Sequence, residues 1–154
     1  MIRVQTGDFD VGAELAGFAA GNGRVGATCV FVGTVRDYAA EHAGPGGWVT
    51  AMTLEHYPGM TETRLAAIEA EARRRWPLED VLIVHRYGRL EAGDRIVMVA
   101  AASGHREAAF QACQFLIDWL KTKAPFWKLE HTADGDSWVD ARDLDDALAA
   151  RWDG

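Results

Sequence analysis

Lysines crowd one short segment that contains no acidic residue, LKTKAPFWK at residues 120–128. Lys121 is expected to end a helix and Lys128 to lie in the following strand, so their ammonium groups can converge across the intervening proline turn. An amine crowded by a second cation and by the aromatic pair Phe126-Trp127 can act as an acid, a base or a nucleophile. The alternative is a structural role, because lysines at a helix C-terminus complement the helix dipole.

Two further positive positions are candidates for contact with an anion. The segment SGHR at residues 103–106 lies where a buried strand is expected to run into a helix. Unpaired N–H groups at a helix N-terminus attract anions, so His105 and Arg106 are placed for a phosphate or a carboxylate. Arg36, directly after another predicted strand, is the second candidate. Alternatively, Ser103 only caps the helix and both arginines are solvated.

The sequence lacks the common motifs for metal sites, phosphate loops and serine hydrolases. Its five histidines and its carboxylates show no metal-ligand spacing. No GxxxxGK[ST] or GxSxG pattern is present, and no GxGxxG lies between a predicted strand and a helix. Cys29 and Cys113 lie in apolar stretches outside any CxxC motif, which is typical of core residues. We therefore expect no metal and no cofactor.

The composition excludes several classes of protein. The chain has 154 residues and a net charge of −7, which fits one domain and provides no global positive field for binding nucleic acid. No apolar run reaches the roughly 18 residues that span a bilayer. The N-terminus shows no secretory signal. These features predict a cytoplasmic protein that does not bind membranes.

Hydrophobic periodicity predicts alternating strands and helices. Strands are expected at 2–4, 26–35 with an interruption at Gly33, 49–56, 81–86, 95–102, 126–132 and 138–139. Helices are expected from an N-cap at Asp10 to a stop at Gly21, and at 60–76, 103–122 and 144–152. The third helix is expected to start at an N-cap formed by Ser103 and to bury Phe110, Cys113, Ile117 and Leu120. Residues 37–47 are expected to form a long mobile loop.

Hairpin-like pairs of strands, such as 81–86 with 95–102, favour antiparallel pairing. Together with the interleaved helices, they predict a two-layer α+β domain with a mainly antiparallel sheet. The order of strands in the sheet does not follow from the sequence.

Four segments taken together resemble the large, catalytic subunit of molybdopterin synthase. They are FVGTVRD at 31–37, LEHYPGMTE at 54–62, SGHR at 103–106 and LKTKAPFWKLE at 120–130. They occur in the family's order and at its spacings, and the likeness runs from about residue 26 to residue 142. Strings as long and unusual as LEHYPGM and KTKAPFWK make a chance resemblance improbable.

The resemblance implies a fold, a reaction and partners. The fold would be a single α/β-hammerhead-like domain over residues 1–154. The reaction would convert cyclic pyranopterin monophosphate into molybdopterin, for the molybdenum cofactor. Its sulfur would come from a thiocarboxylate on the C-terminal Gly-Gly of a small ubiquitin-like carrier. Two catalytic subunits would form the homodimeric core of a heterotetramer.

The resemblance also implies functional residues. Lys121 and Lys128 match the family's catalytic lysines. The segments that match its substrate contacts contain Thr34, Val35, Arg36, His105, Arg106, Lys128, Leu129, Glu130 and Arg142, and Lys121 joins them. For the carrier tail, the segment 125–127 with Met60 and Ile117 would supply apolar walls.

Two alternatives to this reaction are open at the level of the sequence. One is a non-catalytic docking module for a ubiquitin-like carrier, although a docking surface would not need both lysines. The other is a persulfide relay through Cys29 or Cys113, which the apolar surroundings of both thiols disfavour.

Overall fold

The computed structural model describes residues 1–37, 48–139 and 143–153. The strands are β1 (Ile2–Gln5), β2 (Ala27–Thr34), β3 (Val49–His56), β4 (Leu78–Arg86), β5 (Gly88–Glu91), β6 (Arg95–Ser103), β7 (Phe126–Thr132) and β8 (Gly135–Trp138). The helices are α1 (Val11–Gly17), α2 (Met60–Arg75), α3 (Arg106–Lys123) and α4 (Asp143–Ala150).

The first sheet has the strand order β1-β4-β6-β2. Its centre is the antiparallel pair β4 and β6, β2 pairs antiparallel with β6, and β1 pairs parallel with β4. Helices α2 and α3 cover one face, where apolar residues such as Leu65, Phe115 and Val99 form the main core. The short α1 packs on the other face, around Phe9 and Met98.

The second sheet has the order β5-β3-β7-β8, and all of its pairs are antiparallel. Ring contacts join it to the first sheet. His85 of β4 stacks on Phe126 of β7 with ring centroids 3.6 Å apart, and Tyr87 contacts His56 of β3 at 4.1 Å. These contacts fix the position of β7 relative to β4.

The predicted α+β class and the mainly antiparallel pairing are confirmed. β3 and β7 have the predicted bounds, and β2 carries a register shift between Gly33 and Thr34, where the sequence predicts an interruption. Asp10 caps α1 as predicted, because its Oδ1 accepts a hydrogen bond from the N–H of Ala13 at 2.7 Å. The predicted loop at 37–47 lies outside the described residues except for Asp37.

Two predictions about α3 are wrong. The N-cap is His105, because β6 extends through Ser103, whose buried hydroxyl donates instead to the carbonyl of Pro77 at 2.8 Å. Phe110 is 62% exposed rather than in the core. The buried stripe of α3 includes alanines such as Ala109 and Ala112, and their small side chains let the helix lie close to the sheet.

Among the helices of the described residues, none is both long enough and apolar enough to cross a membrane.

Candidate functional site

The two candidate catalytic lysines flank one tight connection. Lys121 lies in the last turn of α3, and Lys128 is the third residue of β7. Between them, the N–H of Phe126 donates to the carbonyl of Ala124 at 2.9 Å. The turn therefore brings the end of α3 and the start of β7 together, while the convergence of the two ammonium groups stays a prediction.

Lys121 is 44% exposed and has an acidic neighbour from the C-terminal helix. Its Nζ lies 3.6 Å from Oδ1 of Asp145 in α4. The next lysine, Lys123, is engaged elsewhere, because its Nζ lies 3.5 Å from Oδ1 of Asp153 and 3.4 Å from the ring centroid of Trp119. Lys121 and Lys123 therefore have distinct electrostatic partners.

Lys128 lies close to a buried histidine. It pairs in register with Leu54 of β3 and, as residue i+2 from Phe126, shares the face on which Phe126 stacks against His85. Burial, together with the nearby charge of Lys128, lowers the pKa of His85 to about 3, although the hydrogen bond to Arg86 opposes the shift. His85 is therefore neutral at physiological pH, and it places no charge of its own beside Lys128.

Exposed aromatic and apolar side chains lie next to Lys128. Trp127 is 52% exposed and contacts the ring of Tyr57 edge-on at 5.2 Å, and Met60 is 54% exposed at the start of α2. These three residues form an apolar surface where β3 leads into α2 and β7 begins, and the side chain of Trp127 lies on the face of β7 opposite that of Lys128. Ile117, which the sequence adds to this surface, is instead buried in the core under α3.

His105 and Arg106 line an open groove at the other end of α3. The groove has a volume of about 580 Å³ and also contains Glu107, Phe110 and Gln111. His105 adopts an extended conformation as the N-cap and makes no side-chain capping bond. The groove thus combines two potential cations with an exposed aromatic ring at a helix N-terminus, the kind of position that attracts anions.

The length of α3 separates this groove from the lysines. Lys121 follows Arg106 by fifteen residues in one continuous helix, which at 1.5 Å per residue is about 22 Å. The start of β2 lies at the groove end, since the N–H of Gly26 donates to the carbonyl of Ser103 at 3.0 Å. A single chain therefore does not bring His105 and Arg106 to the lysines.

Arg36 lies at the opposite end of the first sheet from the groove. It follows β2, whose eight residues extend over roughly 26 Å. Thr34 and Arg36 are exposed, whereas Val35 is 2% exposed and pairs through its N–H with the carbonyl of Asp94 at 2.9 Å. Val35 thus anchors the end of β2, and Arg36 lies at the sheet end where β6 begins and α3 ends.

The remaining candidates differ in how they can contribute. Side chains alternate along β7, so Glu130 shares a face of the sheet with Lys128, while the side chain of Leu129 lies on the other face. Leu129 can therefore reach a ligand on the lysine face only through its main chain. Arg142 lies outside the described residues.

The cysteines lie close together, although 84 positions separate them in the sequence. Burial raises the pKa of the Cys113 thiol, and the neighbouring Cys29 raises it further. A raised thiol pKa disfavours the nucleophilic thiolate. In the parts of the chain that the structure describes, no cluster of three His, Cys, Asp or Glu residues could hold a metal ion.

Comparison with known proteins identifies the family. The model of the MoaE protein family matches residues 4–123, which is most of the chain. The chain belongs to the MoaE family. The matched region includes Arg36, the groove residues and Lys121, and it ends five residues before Lys128.

Relatives and solved structures of this family extend the similarity over the whole chain. A molybdopterin synthase catalytic subunit from Ralstonia nicotianae is 54% identical over 98% of this chain and 83% of its own length. The structure of the molybdopterin biosynthesis MoaE protein from Burkholderia ambifaria is 56% identical, with a TM-score of 0.82 over 100% of this chain and 98% of its own. A complex of subunits 1 and 2 of the molybdopterin-converting factor from Helicobacter pylori shares the fold. It is 19% identical, with a TM-score of 0.72 over 92% of this chain and 91% of its own.

Two residues that contact the lysine region, His85 and Asp145, have no role predicted from the sequence. The signal for His85 is weak but present, because it is the single polar residue near the end of the buried run VLIVH at 81–85. Asp145 carries no such signal, since it lies among several acidic residues in a C-terminal segment.

Proposed function

We propose that this chain is the catalytic subunit of a molybdopterin synthase. It transfers sulfur from the thiocarboxylate terminus of a small ubiquitin-like carrier to cyclic pyranopterin monophosphate. Family membership over most of the chain supports the reaction. The observation that carries the assignment of the site is the pair Lys121 and Lys128 at one connection, next to an exposed apolar surface.

The two lysines have different surroundings and therefore different proposed roles. Lys121 is partly exposed at a helix end, where it can stabilise the anionic thiocarboxylate as its sulfur attacks the pterin side chain. Water then cleaves the acyl C–S bond of the resulting thioester, which leaves the sulfur on the pterin, and Lys121 can stabilise the carrier carboxylate that forms. Lys128 is less exposed and lies beside the neutral His85. It is placed to move a proton to or from the pterin side chain. A positioned acid or base of this kind contributes roughly 10²–10⁴ in rate.

The apolar surface of Tyr57, Met60 and Trp127 is proposed to receive the carrier's C-terminal tail. Glycine has no side chain, so a Gly-Gly terminus can pass closely along aromatic rings to a lysine. The exposure of all three side chains leaves this surface open in the isolated chain. The tail would then end at Lys121.

The phosphate of the substrate is proposed to bind His105 and Arg106 of a second copy of this chain, together with Arg36. Within one chain about 22 Å of helix separates Arg106 from Lys121, so the site is incomplete without a partner. Apolar side chains are exposed on β2 and α3, with Phe31 and Val32 at 37% each and Phe110, which lines the groove, at 62%. Their burial would stabilise such a homodimer.

The test is reconstitution of product formation with a thiocarboxylated carrier and cyclic pyranopterin monophosphate. We expect Lys121→Ala and Lys128→Ala each to lower the rate at least 100-fold. Lys123→Ala is the matched control from the same segment, and we expect it to keep near wild-type activity because Lys123 pairs with Asp153 and Trp119. Near wild-type rates in both Lys121 and Lys128 variants would contradict the proposal.

A docking module without chemistry would behave differently in the same assay. It would bind the carrier and yield no product with wild-type protein, whatever residue stands at position 121 or 128.

The shared site has its own test. Equal amounts of Arg106→Ala and Lys128→Ala chains, each nearly inactive alone, are unfolded together and refolded so that mixed dimers form. A mixed dimer contains one site with both residues intact, so we expect activity to return to a substantial fraction of wild type. No recovery in verified mixed dimers would show that Arg106 and Lys128 act within one chain or not at all.

A further inference from the structure

We infer that Asp145 competes with the carrier's terminal carboxylate for Lys121 and thereby speeds the departure of the spent carrier. This inference rests on the proposed function, because it concerns the end of the same reaction. The observation behind it is the 3.6 Å contact between Oδ1 of Asp145 and Nζ of Lys121.

The contact is an exchangeable ion pair. The distance of 3.6 Å exceeds the 2.7–3.2 Å of a hydrogen bond. The carboxylate of Asp145 therefore attracts the ammonium group of Lys121 by charge alone, without a hydrogen bond. A terminal carboxylate on a flexible Gly-Gly tail can approach Nζ to about 2.8 Å and form a charge-assisted hydrogen bond. The carboxylate of the incoming tail can therefore replace Asp145 as the partner of Lys121 without movement of the lysine.

The helix that carries Asp145 is held against the rest of the chain by the residues that follow it, so Asp145 stays close to Lys121 when the tail arrives. The buried carboxylate of Asp118 in α3 accepts hydrogen bonds from Arg151 at 2.5 Å and from Nε1 of Trp152 at 2.8 Å. The main-chain carbonyl of Trp152 accepts from Arg75 at 2.6 Å. Two carboxylates must then share the neighbourhood of one lysine, and their repulsion weakens the bound tail.

Repulsion of this kind matters most after sulfur transfer. The spent carrier ends in a carboxylate and has to leave before a loaded carrier can bind. A fixed negative charge beside Lys121 raises the rate of dissociation without contacting the pterin. Asp145 is in this sense a positioning residue that acts through Lys121.

The experiment measures dissociation of the carboxylate-ended carrier from wild-type protein and from Asp145→Asn. We expect two- to fivefold slower dissociation from the variant, the range for partly exposed ion pairs. Dissociation from the same two proteins is also measured with a carrier whose terminal glycine is amidated, and for this carrier we expect no difference between the two proteins. Comparison of the four rates isolates the coupling between the two carboxylates.

The matched control is Asp153→Asn, which removes the corresponding partner of Lys123. It should leave the dissociation rates of the carboxylate-ended and the amidated carrier unchanged. Asp145→Glu keeps the charge and should restore fast dissociation, and Asp145→Ala replaces Asp145→Asn if the latter unfolds. Unchanged or faster dissociation from the Asp145→Asn variant would overturn the inference, as would equal slowing with the amidated carrier. Failure of wild-type protein to bind any carrier would instead contradict the proposed function.

Discussion

Replacement of His85 by phenylalanine is expected to make the fold less sensitive to mild acid. The His85 ring is 4% exposed and stacks on Phe126 at 3.6 Å with an interplanar angle of 12°. Its Nδ1–H donates to the carbonyl of Arg86 at 2.8 Å. Phenylalanine keeps an aromatic ring between the two sheets and removes the titrating group.

The magnitude follows from the two pKa values of His85. Burial lowers its pKa from 6.5 to about 3 in the folded chain, so between these values the unfolded chain binds a proton that the folded chain does not. The contribution to stability is fully present above pH 6.5 and is lost as the pH falls towards 3. For a single site, lowering the pH from 7 to 5 costs about 2 kcal/mol of unfolding free energy.

The assay is urea denaturation of wild-type and His85→Phe protein at pH 7, 6 and 5. We expect the wild-type free energy of unfolding to fall by about 2 kcal/mol more than that of the variant. The variant also loses the hydrogen bond to Arg86, but this loss lowers its stability at every pH and cancels in the comparison. His105→Asn removes an exposed histidine and should follow the wild-type profile. Parallel profiles for wild type and His85→Phe would refute a neutral, buried His85.

Two other expectations concern close packing and the thiols. Gly26→Ala should lower stability by about 3 kcal/mol, because a Cβ there would lie 2.3 Å from the carbonyl oxygen of Gly104. Gly17→Ala, where among the described residues no atom beyond the neighbouring residues and the backbone of α1 lies within 4 Å of the added carbon, is its control in thermal denaturation. Cys29→Ser and Cys113→Ser should both retain sulfur transfer, since the sulfur comes from the carrier, although a hydroxyl in the buried site of Cys113 should cost about 1–3 kcal/mol. A folded but inactive cysteine variant would support a persulfide relay.

Much of the fold could be predicted because its pattern is local. Strands β3 and β7 alternate over seven or eight residues between turn signals, and their bounds match the prediction. Strand β5, with four residues between two turns, is too short for periodicity to register. The helical spacing of Phe110 with Cys113 and Ile117 predicts that it is buried, whereas it is exposed and α3 buries Ala109 and Ala112 instead. Alanine is a weak indicator of burial in such patterns, because it occurs both on protein surfaces and in cores.

The candidate site was harder to predict, because its contacts join distant parts of the chain. The stacking of His85 on Phe126 depends on how two sheets meet, and the pairing of Lys121 with Asp145 depends on how α4 docks against α3. Neither contact produces a periodic pattern in the sequence. The family resemblance also assigns His105, Arg106 and the lysines to one site, although α3 holds the two groups about 22 Å apart.

That separation has a consequence for the symmetry of the proposed dimer. In a two-fold interface every contact occurs twice, so an arrangement that brings Arg106 of one copy to Lys121 of the other also completes the reciprocal site. Helix α3 then acts as a spacer with a different functional group at each end, and each dimer holds two equivalent sites. Mixed dimers of Arg106→Ala and Lys128→Ala chains should accordingly have one intact site and one site lacking both residues. Their activity should approach half that of wild type, whereas a site contained within one chain would leave every mixed dimer inactive.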